Sequence, residues 1–400
     1  MRVLFVTHNI PRFEGDAAGS FVLRLAVALH AAGAHVDIIA PGGAGPVALD
    51  CIEGVTISRV RYATDARMTL AYNGTMVESV RSSWNARLAL LGLLRALRRS
   101  TTRAVSDART RGAPYDVVHV HWWFPAGLAL WRAFPPHAPP IVLTMHGSDV
   151  RLAQQWRPAH ALMRAVLKAA AVRTAVSSWL AERATRLTGG LDVQIAPMPV
   201  DDRHFDAPNF DAVSSESPAR DGILFVGRLN VQKGLAQLLD ALAQQPLCNA
   251  WLDVVGDGPD KDTLHEYATM RGVSARIRWH GAQPASVLAA FYRRAVVVAM
   301  PSTEEGLGLV AVEAQLCGTP VVAYASGGLS DVVRSEWGGI LVPCGDITAL
   351  ANALGNALTI GPHDERSRGK MREAMRERFA PSVVASRYLS LYAEAMHGSS

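Results

Sequence analysis

Two carboxylates with seven residues between them, Glu305 and Glu313, frame the stretch of this chain best suited to chemistry. They lie in Pro301-Ser302-Thr303-Glu304-Glu305-Gly306-Leu307-Gly308-Leu309-Val310-Ala311-Val312-Glu313-Ala314. The apolar run 295–300 before it reads as a buried strand, and 309–317 after it reads as a helix. On that helix Leu309, Val312 and Leu316 recur at helical spacing and predict a core-facing stripe. Glu313 falls inside the stripe, where an ionised carboxylate is costly unless something pairs with it. Two readings stay open from the residues alone: a buried ion pair with an arginine, or a ligand contact at the mouth of a parallel sheet.

Other loops that follow apolar runs carry complementary groups. After 223–226 comes Gly227-Arg228-Leu229-Asn230-Val231-Gln232-Lys233-Gly234 and then a helical segment. Two cations beside a helix N-terminus suit an anion such as a diphosphate. Lysine occurs only at 168, 233, 261 and 370, so Lys233 is not casual filler, although a solvated basic turn is the plainer alternative. After 251–255 comes Gly256-Asp257-Gly258-Pro259, which opens like a dinucleotide fingerprint but has no third glycine, so a nicotinamide cofactor is not expected. His146-Gly147-Ser148-Asp149 follows the run 141–144 and puts an imidazole at a strand end. His119 and His121, two apart, point to one face of a strand. With no third ligand nearby, a metal site is not expected. Gly15 and Gly19 do not form a fingerprint, but can admit a phosphate to the backbone. The Gly-x-Ser-x-Gly, Walker A and His-Glu-x-x-His patterns are all missing, which removes support for hydrolase, P-loop and zinc-protease chemistry.

The elements that position these groups repeat a strand–helix alternation. In the first half, apolar runs at 3–7, 35–40, 55–60, 116–120, 141–144, 174–176 and 193–196 predict strands. In the second half, runs at 223–226, 251–255, 276–279, 295–300, 320–324 and 339–342 do the same. Alternation of this kind means a parallel doubly wound sheet. Four hundred residues are long for one core and suit two domains of about 200 residues each. Boundaries are expected at 1–205, a Pro- and Ser-rich linker at 206–221, and 222–380, with a helical tail at 381–397 packing back on the first domain. Two such domains facing each other would place ligands at strand carboxyl ends in the cleft between them. The N-terminal residues read as a strand and not as a leader, and no run of 18 apolar residues exists. Cys51, Cys248, Cys317 and Cys344 are far apart, which fits a reducing cytoplasm.

With these loops in order, the chain resembles the retaining glycosyltransferases of family 4, which have the GT-B fold. Four pieces carry the resemblance: Thr144-Met145-His146-Gly147-Ser148-Asp149; Gly227-Arg228-Leu229 with Gln232-Lys233-Gly234; Gly256-Asp257-Gly258-Pro259; and Glu305-Gly306-Leu307-Gly308-Leu309-Val310 with Glu313 and Gly318-Thr319-Pro320. The resemblance implies an α/β GT-B architecture, two Rossmann-like domains facing a central cleft. It implies a nucleoside-diphosphate-sugar donor, UDP-sugar in preference to GDP-sugar, with no further cofactor and no metal, and polysaccharide biosynthesis as the setting. Carried over by motif position, Arg228 and Lys233 would grip the diphosphate and Glu313 the ribose. Glu305 would bind the transferred sugar, with the amides of Gly308, Leu309 and Val310 close to sugar and phosphate. His146 would contact that sugar, Gly19 would approach the diphosphate, and the base would stack near Gly256, Gly258, His280 and Gly281. The catalytic set implied is Glu305, His146, Arg228 and Lys233. Leu307 stands where the family often has Phe, the loop 11–19 lacks the family's paired glycines, and Glu304 competes with Glu305, whose spacing to Glu313 fits better.

Charge marks a further feature. Residues 81–111 hold eight arginines against the single acid Asp107, an excess of seven, whereas the whole chain carries a net charge of +5. Leu88, Leu91 and Leu94 beside Arg95, Arg98 and Arg99 predict an apolar stripe with a cationic flank that could lie on an anionic membrane at the inner face. An ordinary helix with a solvated arginine face is the alternative. Nucleic acid is not an expected partner, because the excess lies in one helix and not around an aromatic platform. The acceptor is unassigned. A sugar-nucleotide epimerase, a phosphorylase on the same fold, or a non-catalytic sugar-nucleotide binding module compete with the transferase.

Overall fold

The computed structural model describes every residue except 14–15, 17, 44–48, 69, 72–75, 77–78, 81–82, 136, 207–221, 362 and 399–400. Gly15, Arg81 and nearly all of the expected linker thus lie outside the described residues. The chain forms two compact units, Met1–Pro199 with Pro381–Ser400, and Val200–Ala380.

The first unit is built on an eight-stranded sheet, with strands β1 (Arg2–Val6), β2 (His35–Pro41), β3 (Leu49–Ile52), β4 (Val55–Val60), β5 (Val117–His121), β6 (Ile141–Met145), β7 (Val172–Ala175) and β8 (Gln194–Ile195). Their order is β3-β4-β2-β1-β5-β6-β7-β8. Every pairing is parallel except β3 with β4. Helices on both faces bury the parallel strands, which is why these strands read as nearly continuous Val, Ile and Leu. β3 was not expected. It joins β4 through Glu53-Gly54, both at positive φ, the two-residue turn that matches strand twist in a hairpin. The tail helix, Pro381–His397, lies in this unit: the Tyr388 hydroxyl donates to the Ala196 carbonyl at 3.0 Å.

The second unit has six parallel strands, β9 (Ile223–Val226), β10 (Leu252–Val255), β11 (Ile277–Trp279), β12 (Val297–Met300), β13 (Val321–Tyr324) and β14 (Ile340–Val342). The order is β11-β10-β9-β12-β13-β14. Its core joins these strands to Leu235, Leu238, Leu239 and Leu242 on one helix and Leu350 and Leu354 on another. The short helix Asp202–Phe205 belongs here, with Phe205 edge-on to Tyr292 at 5.7 Å between centroids.

Both sheets reverse direction beside their first strand. The reversal falls between β1 and β5 in one unit and between β9 and β12 in the other. Crossovers leave to opposite sides there, which is where sheets of this class place a ligand crevice at the strand carboxyl ends.

In the second unit the loops around that crevice press backbone against backbone. The Leu229 amide donates to the Asp257 carbonyl at 3.0 Å and the Asp260 amide to the Leu229 carbonyl at 3.1 Å. A β-carbon on Gly256 would stand 1.9 Å from the Gly227 carbonyl oxygen, and Gly256 has φ +144°. One on Gly258 would stand 2.2 Å from the Leu229 carbonyl oxygen. The two glycines are therefore the joint between the loops after β9 and β10. Gly256→Ala is expected to cost about 3 kcal/mol or more through steric overlap and strain. Thermal unfolding should show a midpoint lower by on the order of 10 °C.

Candidate functional site

The loop after β9 turns through the short 3-10 segment Val231–Lys233, capped by the Asn230 side chain, which accepts from the Lys233 amide at 3.2 Å. That turn aims Lys233 across the reversal point. Its ammonium meets Glu305 Oε2, from the loop after β12, at 2.6 Å, and both side chains are partly buried. The Thr303 amide binds the Gln232 carbonyl at 3.0 Å and ties the same two loops through backbone. The Glu305 carbonyl is fixed in turn by the Gly328 amide at 2.8 Å. Of the two adjacent glutamates, Glu305 is the one paired with Lys233. Arg228, on the same loop as Lys233, is exposed.

Gly308, in the left-handed region at φ +94°, starts the helix Leu309–Leu316. A stripe was expected on this helix, but residues 311–316 are buried on every side. A helix surrounded by core is apolar all round, and periodicity then loses its meaning. Glu313 is 8% exposed, and its Oε2 accepts from the buried Tyr292 hydroxyl at 2.9 Å. A tyrosine partner was not among the sequence expectations.

His280 and Gly281 follow β11. The His280 imidazole lies 2.6 Å from Asp253 Oδ1, and Arg278 and Arg294 donate to the other oxygen of that carboxylate at 2.9 and 3.2 Å. Its Nε2 is thus engaged by β10. The Gly281 carbonyl accepts from the Gly256 amide at 2.8 Å, which adds the loop after β11 to the glycine joint.

In the first unit the reversal point is lined with histidine. His8 follows β1, His119 and His121 end β5, and His146 follows β6. His121 Nδ1 lies 3.0 Å from His146 Nε2. His119 is spent inward, with Tyr392 Oη and Thr144 Oγ1 each at 2.8 Å. Trp122 packs on His146 and His8 at 4.3 and 4.4 Å between centroids. Burial holds the imidazoles neutral: His8 is lowered to about 4, His121 to about 3, and His119 and His146 lie well below the ordinary value. Asp149 sets the His146 loop. Buried, it accepts from the amides of Gly147 and Trp123 at 3.1 Å each and of His146 at 3.3 Å. Desolvation raises its carboxyl to about 6 despite those donors. Gly19, at φ +64°, presses on the Asn9 carbonyl oxygen, which a β-carbon would meet at 2.3 Å. Its lack of a side chain is thus required within the fold itself.

The basic segment forms the helix Trp84–Thr110. Its buried face is Ala89, Leu93, Leu97, Thr101 and Ala108, one position off the expected stripe. Leu94 is half-buried, whereas Trp84, Leu88 and Leu91 are 75%, 52% and 49% exposed. Among the described residues no helix is long and apolar enough to cross a membrane.

Residues 207–378 match the family described as glycosyl transferases group 1, and residues 17–201 match the glycosyl transferase 4-like domain. A D-inositol 3-phosphate glycosyltransferase of Xylanimonas cellulosilytica is 33% identical over 95% of this chain and 93% of its own length. This chain belongs to the family 4, group 1 glycosyltransferases. Among solved structures, this glycosyltransferase is similar to a sucrose-phosphate synthase from Thermosynechococcus elongatus, at TM-score 0.78 and 23% identity over 99% of each chain. It is also similar to HepE of Anabaena in complex with UDP-glucose, at TM-score 0.67 and 19% identity over 98% of this chain and 99% of that one. Both likenesses show the GT-B fold. Membership of the family sets aside the epimerase, phosphorylase and binding-module readings.

The neutral histidines of this glycosyltransferase are expected to make it acid-sensitive. Their folded pKa values lie below 6.5, so their contribution to stability is complete above pH 6.5 and is lost as pH falls towards about 4 for His8 and about 3 for His121. Asp149, raised to about 6, works the other way over pH 6 to 3.8, but it is one group against several. The unfolding midpoint is expected to drop steadily from pH 7 to pH 5. His8→Phe, which keeps the ring on Trp122, should leave the pH 7 value nearly unchanged and flatten that slope in a thermal scan.

Proposed function

We propose that this glycosyltransferase moves a sugar from a UDP-sugar to a hydroxyl acceptor with retention of configuration and without a metal. The observation that carries the reading is the Lys233–Glu305 pair at the reversal point of the second sheet. A donor of this kind presents a diphosphate and a ring of hydroxyls side by side, and the pair offers a cation and an acceptor side by side.

In this reading Arg228, Lys233 and the amides of Gly308, Leu309 and Val310 hold the diphosphate. Negative charge builds on it as the glycosidic bond breaks, and preorganised donors stabilise that charge most in the transition state. The leaving phosphate oxygen takes the acceptor proton on the same face, so no protein base is assigned. Glu305 turns from Lys233 to the hydroxyls of the transferred sugar. Glu313, held by Tyr292, takes the ribose; from Gly308 to Glu313 a helix rises roughly 7.5 Å, enough to serve a different part of one donor. The base lies by Gly256, Gly258, His280 and Gly281, with Asp253 steadying His280. For His146 the family resemblance supplies a hydrogen bond to the transferred sugar, and for Gly19 a backbone approach to the diphosphate. UDP is favoured because HepE, on the same fold, holds UDP-glucose. Screening donors for release of UDP or GDP tests the donor, and mass spectrometry of products from a cell extract identifies the acceptor.

A second observation extends the reading to location. Trp84, Leu88, Leu91 and Arg95 lie on one exposed face of their helix, and the Arg87 guanidinium stacks on Trp84 at 4.7 Å. Apolar side chains flanked by cations suit the anionic inner face of a membrane, with the enzyme cytoplasmic. Phosphatidylglycerol vesicles at low salt should float the protein, phosphatidylcholine vesicles should not, and Trp84→Ser/Leu88→Ser should abolish flotation. No flotation at low salt would end this part of the reading.

The two glutamates are expected to separate kinetically. Glu305→Ala should lower kcat by about a hundredfold. Glu313→Gln should mainly weaken donor binding, by about tenfold, measured as KM and by calorimetry. Wild-type kinetics in both variants would overturn the assignment.

A further inference from the structure

The geometry points to His121 as a positioning residue that fixes the tautomer of His146, so that His146 presents Nδ1–H as its outward hydrogen-bond donor. The inference rests on the proposed role of His146 toward the donor sugar, and goes beyond it by saying which nitrogen carries the proton and what puts it there.

His121 Nδ1 and His146 Nε2 stand 3.0 Å apart, with the rings stacked at 28°. Both rings are held neutral, His121 by burial and His146 by desolvation and its neighbours His121 and His8, so a single proton lies between them and two arrangements exist. If His146 donates, His121 must carry its own proton on Nε2. That atom is buried and has no hydrogen-bond partner among the described residues, and the rings of Phe5 and His119 pack on the His121 ring at 4.8 and 4.2 Å between centroids. A buried N–H without an acceptor is the rarer and costlier defect. If His121 donates through Nδ1, its Nε2 holds only a lone pair, and His146 must then be protonated on Nδ1. The hydrogen bond made by one nitrogen of an imidazole in this way decides the state of the other. His146 Nδ1 makes no bond among the described residues, and His146 is only partly buried.

The scaffold keeps the ring in this state. Asp149 anchors the His146 amide, Trp122 and Phe21 pack on the imidazole at 4.3 and 5.0 Å, and the fully buried His121 cannot swing out to solvent. His146 can therefore donate to a sugar oxygen and cannot take a proton through the same nitrogen. This agrees with a reaction in which the leaving phosphate serves as the base.

The test begins with the intact enzyme labelled with 15N-histidine. Long-range 1H–15N spectra, with His146 assigned by its disappearance in His146→Gln, are expected to show the Nδ1–H tautomer from pH 6.5 to 8. The Nε2–H tautomer would overturn the inference whatever the kinetics show, and this readout stands even if a variant fails to fold. His121→Phe keeps ring and volume but removes the bond. It should shift the His146 signals toward a tautomer mixture and lower kcat/KM for the donor about tenfold. His121→Asn, whose amide nitrogen occupies the place of Nδ1, should restore the Nδ1–H signal and most of the rate. Unchanged His146 signals in His121→Phe would also overturn the inference. Full activity in His146→Gln, with the tautomer as expected, would instead remove the proposed sugar contact and leave the His121 relation intact.

Discussion

Three loops of the second unit have to touch at the level of the main chain, and much of the candidate site follows from that constraint. The segments after β9, β10 and β11 exchange amide–carbonyl bonds directly. Side chains have no room between them, so Gly256 and Gly258 are required where they stand. Arg228 and Lys233 are therefore carried by a loop whose path is set by main-chain contacts and not by their own interactions. On the proposed reading this spares the cost of ordering the loop backbone when the donor binds, which is part of the benefit of preorganisation.

Both units solve the same topological problem with different chemistry. At the β9/β12 reversal the second unit places charge: an ammonium, a carboxylate and helix amides. At the β1/β5 reversal the first unit places neutral imidazoles and aromatic rings. Desolvation makes the difference. The histidines sit against Phe5, Trp122 and the tyrosines of the tail helix, where a charged imidazole is disfavoured. On the proposed reading, hydrogen bonding without charge suits the sugar, and the ammonium of the ionic pair suits the diphosphate.

The sequence made the strands and the order of the motifs legible, because parallel strands buried on both faces leave continuous apolar runs. It did not reveal β3, whose cue was the two-residue turn Glu53-Gly54 and not its short apolar content. The Glu313 helix was read as one-faced, since periodicity cannot recognise a helix that has no solvent side. Partners distant in sequence were also out of reach. Asp253 meets His280 and His121 meets His146 through strand pairing, and Tyr292 meets Glu313 through the packing of two helices; spacing along the chain carries no trace of either. Gly256 and Gly258 were visible, but their purpose differs from the fingerprint they resemble: they seat one loop on another.

The Lys233–Glu305 pair bears on which anions can reach the lysine. Lys233 already has an anion of its own, tethered and 2.6 Å away. A small anion with no hydroxyl to donate, such as sulfate or chloride, would have to displace that carboxylate and would give it nothing in exchange. A sugar nucleotide offers an anion to the lysine and hydroxyls to the displaced glutamate at once. On the proposed reading the pair is thus a discriminator, rejecting simple anions that carry no hydroxyl by competition where a steric gate would otherwise be needed.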